Sequence, residues 1–284
     1  MPAQARVALV TDSTADMPLD LAAERGVHVA PMHVIWDGQD LRDRIDLDSA
    51  AFYARLAQSR TLPTTSPPSA QEFADIFQRA RDASNAEAVL AFTISSQLSS
   101  SYHVAQQAAR LVDFPVHAID TRTGSIAHGL VVLAAADARD RGGGPEEVLR
   151  LALDAIMRTQ MIFALDTLTY LHRSGRVSGL QRFIGGALQI KPILHVVAGG
   201  IALRERVRTR TRLLARLREI FDEVATRDRP LRIGVLHGAA ADDLRAFVAS
   251  LWAAWSPELL VEGTVGASVG IHTGPGSLGF AILQ

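Results

Sequence analysis

The sequence predicts two α/β domains. Strand and helix signals alternate along the chain, a Gly142-Gly-Gly-Pro145 break divides it, and no repeat, heptad run or low-complexity segment interrupts the alternation. With 284 residues, 48% of them hydrophobic and 21% charged, the chain can bury a sizeable core. The expected domains are 1–150 and 151–284, with the boundary falling within 142–160.

Each element has a local reason. Residues 6–10 form a short apolar run that ends at Thr11-Asp12-Ser13-Thr14, and Pro18 opens a helical stretch to Arg25. Gly26 stops that helix, and 27–36 reads extended up to the Asp37-Gly38 turn. Helices are predicted over 46–57 and 70–83, separated by a proline-rich loop at 61–69 without periodicity. A buried-type strand at 88–94, a helix at 99–111, a strand at 116–119 and a helix at 126–141 follow. This alternation argues for a parallel sheet covered on both faces. Pro145 starts a helix to 158; beyond it, strands are predicted at 161–165, 190–197, 231–237 and 259–263. Helices there are expected at 180–188, 213–225 and 240–255.

Composition removes several function classes. There is no cysteine, so disulfides, thiol nucleophiles and thiolate metal sites are all excluded. The net charge of −1 gives no global field for nucleic acid or an anionic membrane. The clearest continuous apolar stretch, 130–136, is far shorter than the ~20 residues of a membrane span. Residues 1–10 lack a signal-peptide core, so a soluble cytoplasmic protein with only transient membrane contact is expected. Of the 29 basic residues only Lys191 is a lysine, which marks a position suited to a compact ammonium, with chance survival of a lysine as the alternative.

Two motif matches fail in context. Gly266-Ala-Ser268-Val-Gly270 fits the nucleophile-elbow pattern, but no acid follows Glu262 and the chain soon ends. Gly274-Pro-Gly276-Ser-Leu-Gly279 fits a dinucleotide fingerprint, yet too few residues remain for its helix and acid. The nine histidines show no zinc-helix spacing, so no metal site is expected. Asp12, Asp16 and Asp20 read as helix-capping or first-turn acids. Seven arginines between Arg204 and Arg218 alternate at first along an extended edge. They suit either a solvated face or a docking surface for an acidic partner or phosphate; the missing aromatics disfavour nucleic acid.

Four hydroxyl-rich or glycine-rich segments are harder to explain as packing. They are Thr11-Asp-Ser-Thr-Ala-Asp16, Pro63-Thr-Thr-Ser-Pro67, Ser95-Ser-Gln-Leu-Ser-Ser-Ser-Tyr102 and His272-Thr-Gly-Pro-Gly276. Three follow predicted strands, and the carboxyl ends of parallel strands form the usual ligand crevice. Hydroxyls with one imidazole bind a carboxylate well and catalyse little unaided.

At these residues the sequence resembles the DegV family over nearly its whole length. The family's T-D-S-T-A-D-[LM]-P is Thr11-Asp-Ser-Thr-Ala-Asp-Met-Pro18, unchanged. Its T-S-x-P loop appears as Thr65-Ser66-Pro67-Pro68, and its I-S-S-x-L-S-G-T-Y start as 94–102 with Ser100-Ser101 in place of Gly-Thr. Residues 119–125, 167–178, Ile190-Lys-Pro-Ile-Leu194 and His272-Thr-Gly-Pro-Gly276 resemble its remaining motifs in order. The resemblance implies a parallel sheet in the first domain, a mixed sheet in the second, and a tunnel between them for one long-chain fatty acid. It further implies that Thr65, Ser96 or Ser95, His272 and Thr273 meet the carboxylate, with no cofactor and no nucleotide site. A separate ATP-dependent fatty acid kinase subunit would receive the acid, making acyl-phosphate for lipid synthesis. Arg176, Arg206 and Arg208 are expected to form its docking face. The competing expectation is a carrier of another acyl or lipid ligand on the same scaffold, without a kinase; an enzyme with its own active site ranks below both.

Overall fold

The computed structural model describes residues 7–176 and 190–284. The helix expected at 180–188 and the start of the strand expected at 6–10 lie partly or wholly outside them. Three sheets are present. The first is fully parallel in the order β2-β1-β6-β7, from β1 (Val7–Asp12), β2 (Val27–Ala30), β6 (Ala88–Thr93) and β7 (Val116–Asp120). β1 and β6 are buried at every position, so they read as apolar runs rather than alternations.

The second sheet is mixed, in the order β10-β9-β8-β13-β11-β12. It joins β8 (Thr159–Ala164), β9 (Lys191–Val197), β10 (Gly200–Val207), β11 (Arg232–Gly238), β12 (Leu259–Thr264) and β13 (Ser277–Leu283). Only β11 and β12 run parallel. Two departures from the sequence reading are instructive. β13 sits in the middle of this sheet although 277–283 was not read as a strand. The stretch 27–36 splits into β2 and β3 (His33–Trp36), and β3 builds a third, antiparallel sheet with β4 (Gln39–Arg42) and β5 (Thr64–Ser66). β5 lies inside the segment expected to be pure loop; its register puts Thr65 opposite Val34.

Helices layer these sheets. α3 (Ala70–Ser84) and α4 (Ser101–Ala108) cover the outer face of the first sheet through Phe73, Phe77, Ala105 and Ala108. α8 (Arg210–Val224) and α9 (Ala241–Trp252) cover the outer face of the second with Leu217, Phe221, Phe247 and Leu251. Between the sheets runs α5 (Ser125–Asp140), buried nearly all round and backed by α6 (Pro145–Arg158). Val7, Leu9, Leu130, Phe163, Leu236 and Ala281 share one core around it. Gly234 on β11 permits this approach: a Cβ there would lie 2.3 Å from Ile126. α2 (Ser49–Gln58) and α10 (Ala267–Thr273) pack against the third sheet. No helix among the described residues is long and apolar enough to cross a membrane.

Candidate functional site

A cavity of about 310 Å³ opens between the sheets, within the ~300–1,000 Å³ range of small-molecule sites. The carboxyl ends of the first sheet's strands supply Thr14, Ile94, Leu98 to Ser100 and Gly124-Ser125. The second sheet supplies an apolar wall of Met161, Phe163, Val196, Ile201 and Leu236. Thr65 and Ser66 from β5, Arg176, and His272 and Thr273 from α10 add further polar groups to the lining. The crevice therefore sits where the strand-end reasoning expected it.

His272 occupies the last turn of α10, and its Nδ1 is buried without a hydrogen-bond partner. Burial, helped by the Arg176 guanidinium, pushes its pKa down to about 4. The imidazole is thus neutral at pH 7, able to donate from one nitrogen and accept at the other. Gly274 ends the helix with φ +71, and a Cβ there would lie 2.2 Å from the Tyr170 ring, so no other residue fits. The next turn is pinned by Arg210, which donates to the Gly276 carbonyl at 2.6 Å while pairing with Asp166 and Asp243. Lys191 also meets Asp166, at 2.9 Å, which gives the single lysine a defined partner.

Not every sequence-predicted residue lines this cavity. Thr65, His272 and Thr273 do. Ser95 and Ser96 do not: Ser95 is buried and donates to the Gly199 carbonyl at 2.7 Å, and Ser96 donates to Asp120 at 2.6 Å. Their hydroxyls staple the turn after β6 to neighbouring chain, while Ser99 and Ser100 reach the cavity instead. Arg176, expected at a docking face, lies on the cavity wall, held to the Ser174 and Leu98 carbonyls. Arg206 and Arg208 are exposed at and just beyond β10, as a surface role requires. Their neighbours are committed internally: Arg204 to Glu223, Arg212 to Glu219, Arg216 to Glu205 and Glu223, and Arg218 to Asp222. These four of the segment's seven arginines are therefore tied into ion pairs, two of which cross between β10 and α8 while the others lie within α8.

Three buried carboxylates stand behind the wall; the sequence marks Asp12 and Asp16 only as local capping or first-turn acids and does not single out Asp43. Asp12 caps the turn after β1 as expected, but it also accepts from Ile94 N at 3.2 Å and Ser101 Oγ at 2.7 Å. Asp16 is no first-turn acid; it accepts from Ser125 Oγ and Gly266 N, each at 2.7 Å. Asp43 accepts from Ser13 Oγ at 2.7 Å, Ala267 N at 3.0 Å and Ser268 Oγ. Burial raises the pKa of both, that of Asp16 to about 7 despite the pull of Arg44. Ser268 of the elbow-like motif is thus a donor to a structural carboxylate, Asp43, and among the described residues no histidine is hydrogen-bonded to it. Pairings across some 250 residues leave no local signal; the pattern of buried acid and hydroxyl emerges only with the fold. Among the described residues, no group of three or more His, Asp or Glu converges as a metal site.

Comparison with known proteins gives a consistent picture. The family model described as DegV matches residues 6–284. The chain is 31% identical over 275 residues to the protein DegV of Bacillus subtilis, covering 96% of this chain and 97% of that one. It is 35% identical over 283 residues to a DegV domain-containing protein of Streptomyces coelicolor, covering 97% and 98%. The structure of a DegV family protein from Thermus thermophilus, described for fatty acid binding, superposes with a TM-score of 0.91 at 31% identity, covering 98% and 99% of the two chains. That of the fatty acid binding protein DegV of Bacillus subtilis gives 0.90 at 31% identity, with 98% and 99% covered.

Proposed function

Because the chain belongs to the DegV family, we propose that its cavity holds one long-chain fatty acid and presents the carboxylate to a separate ATP-dependent fatty acid kinase. The observation that carries this reading is the neutral His272, with a buried, unpartnered Nδ1, on a cavity whose second-sheet wall is apolar. An unpaired buried nitrogen is costly, and a carboxylate oxygen would accept its proton. Thr65 adds a hydroxyl donor and Arg176 adds charge, while Thr273 lines the cavity with its own hydroxyl donating to the Val269 carbonyl at 3.4 Å. A sixteen-carbon tail along Met161, Phe163 and Leu236 buries about fourteen methylenes at ~0.8 kcal/mol each, a gross ~11 kcal/mol before ordering.

The chain acts as a carrier rather than an enzyme in this reading. His272 holds and orients the carboxylate oxygen that attacks the γ-phosphate of the kinase's ATP, since positioning supplies much of phosphoryl transfer. Arg206 and Arg208, exposed beside these ion pairs of β10 and α8, face the kinase subunit in a cytoplasmic complex, and the acyl-phosphate formed there serves phospholipid synthesis. The test is solvent extraction of the purified protein followed by mass spectrometry. One fatty acid per chain is expected; a nonlipid ligand, or none even after incubation with fatty acid, would overturn the reading.

A further inference from the structure

The hydroxyls on the cavity wall fall into two groups according to where their protons go. Among the described residues, those of Thr65 and Ser100 donate to no protein acceptor, so their protons are available to a carboxylate. Thr14, Ser125 and Ser268 differ. Each lines the same cavity, yet each donates away from it: Thr14 to Asp12, Ser125 to Asp16 at 2.7 Å, and Ser268 to Asp43. A hydroxyl has one proton and two lone pairs. While that carboxylate is ionised, which for Asp16 means above a pH of about 7, only lone pairs remain for the cavity.

This wall therefore cannot receive a carboxylate, whose oxygens are acceptors too. Bare methylenes would leave its lone pairs facing hydrocarbon, the arrangement burial penalises. Its geometry is also built rather than incidental. Ser125 holds φ +54, a left-handed conformation unusual for serine, which the Asp16 bond stabilises. Gly266 brings the Ser125 and Ser268 acceptors together: a Cβ there would lie 2.9 Å from Asp16 and 3.4 Å from Asp43. Ser268 precedes His272 by about one turn of α10, a rise of about 6 Å along the helix.

We propose that Thr14, Ser125 and Ser268 form a second subsite that receives a hydrogen-bond donor of the ligand, a hydroxyl on the acyl chain within a few carbons of its carboxylate. The inference rests on the fatty-acid reading above and adds a substrate preference to it: hydroxylated over plain acyl chains.

Competition against a fluorescent fatty acid tests it, using hexadecanoic acid and its β-hydroxy and ω-hydroxy derivatives on the full chain. The β-hydroxy acid should bind about 3–10-fold more tightly than hexadecanoic acid, the gain of one neutral hydrogen bond, and the ω-hydroxy acid more weakly than either. In Ser125→Ala and Ser268→Ala the ratio of β-hydroxy to plain acid should fall toward one; a ratio taken within one variant cancels any general loss of affinity. Equal or weaker binding of the β-hydroxy acid by the unaltered protein would overturn the subsite and leave the fatty-acid reading standing, whether or not the variants fold. A preference that persists undiminished in both variants would overturn it as well. Failure of hexadecanoic acid itself to bind would instead overturn the fatty-acid reading.

Discussion

The turn after β1 and the turn after α10 are both polar, both lie at the cavity, and both look like binding motifs, yet they are spent differently. In the first, Asp12, Ser13, Thr14 and Asp16 direct every named hydrogen bond into the protein, to the starts of α4, α5 and α10 or to Asp43. In the second, the glycine-bounded end of α10 leaves His272 Nδ1 without a partner. A polar motif thus builds the wall when its bonds close on the protein, and offers a binding group when one stays open. Residue type does not distinguish the two cases; hydrogen-bond accounting does.

Altering the closed turn should have the largest effect. Asp43→Ala strands Ser13 Oγ, Ala267 N and Ser268 Oγ, and should lower unfolding free energy by about 2–4 kcal/mol in urea titrations. A loss below about 1 kcal/mol would break the comparison, because the network would then be dispensable. Asp16 sharpens it through pH. Its folded pKa of about 7 lies above its unfolded value near 3.8, so the folded form keeps the proton longer. The resulting stabilisation is present in full below about pH 4 and is lost as pH rises through about 7. Asp16→Asn should flatten the decline in melting temperature between those limits; an unchanged slope would mean that Asp16 is not its source.

The open turn and its neighbours should respond in ligand affinity instead. Thr65→Ala should weaken fatty-acid binding by ~1–2 kcal/mol, one donor to a carboxylate, with little change in stability. The smallest change is expected at Ser96, whose hydroxyl is held by Asp120 outside the cavity lining. Ser96→Ala should leave the dissociation constant within about twofold by isothermal titration. A Ser96 effect matching that of Thr65 would show that the two serines after β6 are not merely structural staples.

Much of this was legible in the sequence, but unevenly. Elements with local punctuation were read well: α6 runs from Pro145 to Arg158 as expected, because proline suits a first helical turn. β1 and β6 announce themselves as apolar runs between turn residues. β13 was passed over because its glycines invited a dinucleotide fingerprint, and a strand buried at every position has no alternation to betray it. β5 is three residues between prolines and exists only by pairing with β3. At the site, Thr65, His272 and Thr273 could be found because they stand in recognisable motifs. The placement of Arg176 and the partners of Asp16 and Asp43 depend on contacts between distant segments, as does the direction in which each hydroxyl donates.

One last consequence concerns how a ligand gets in. Two-lobed proteins commonly admit a guest by swinging their halves apart about a hinge. Here α5 stands in the way, since its twelve buried residues are packed against strands of both sheets. Parting the sheets would wet Ile126, Leu130 and Val131 together, at ~1.5–3 kcal/mol for each such side chain. Traffic is cheaper through the rim, where β5 carries far less packed surface than the middle of the molecule. On the fatty-acid reading, a central helix that ties both sheets together would have the ligand enter at the rim rather than between parted halves.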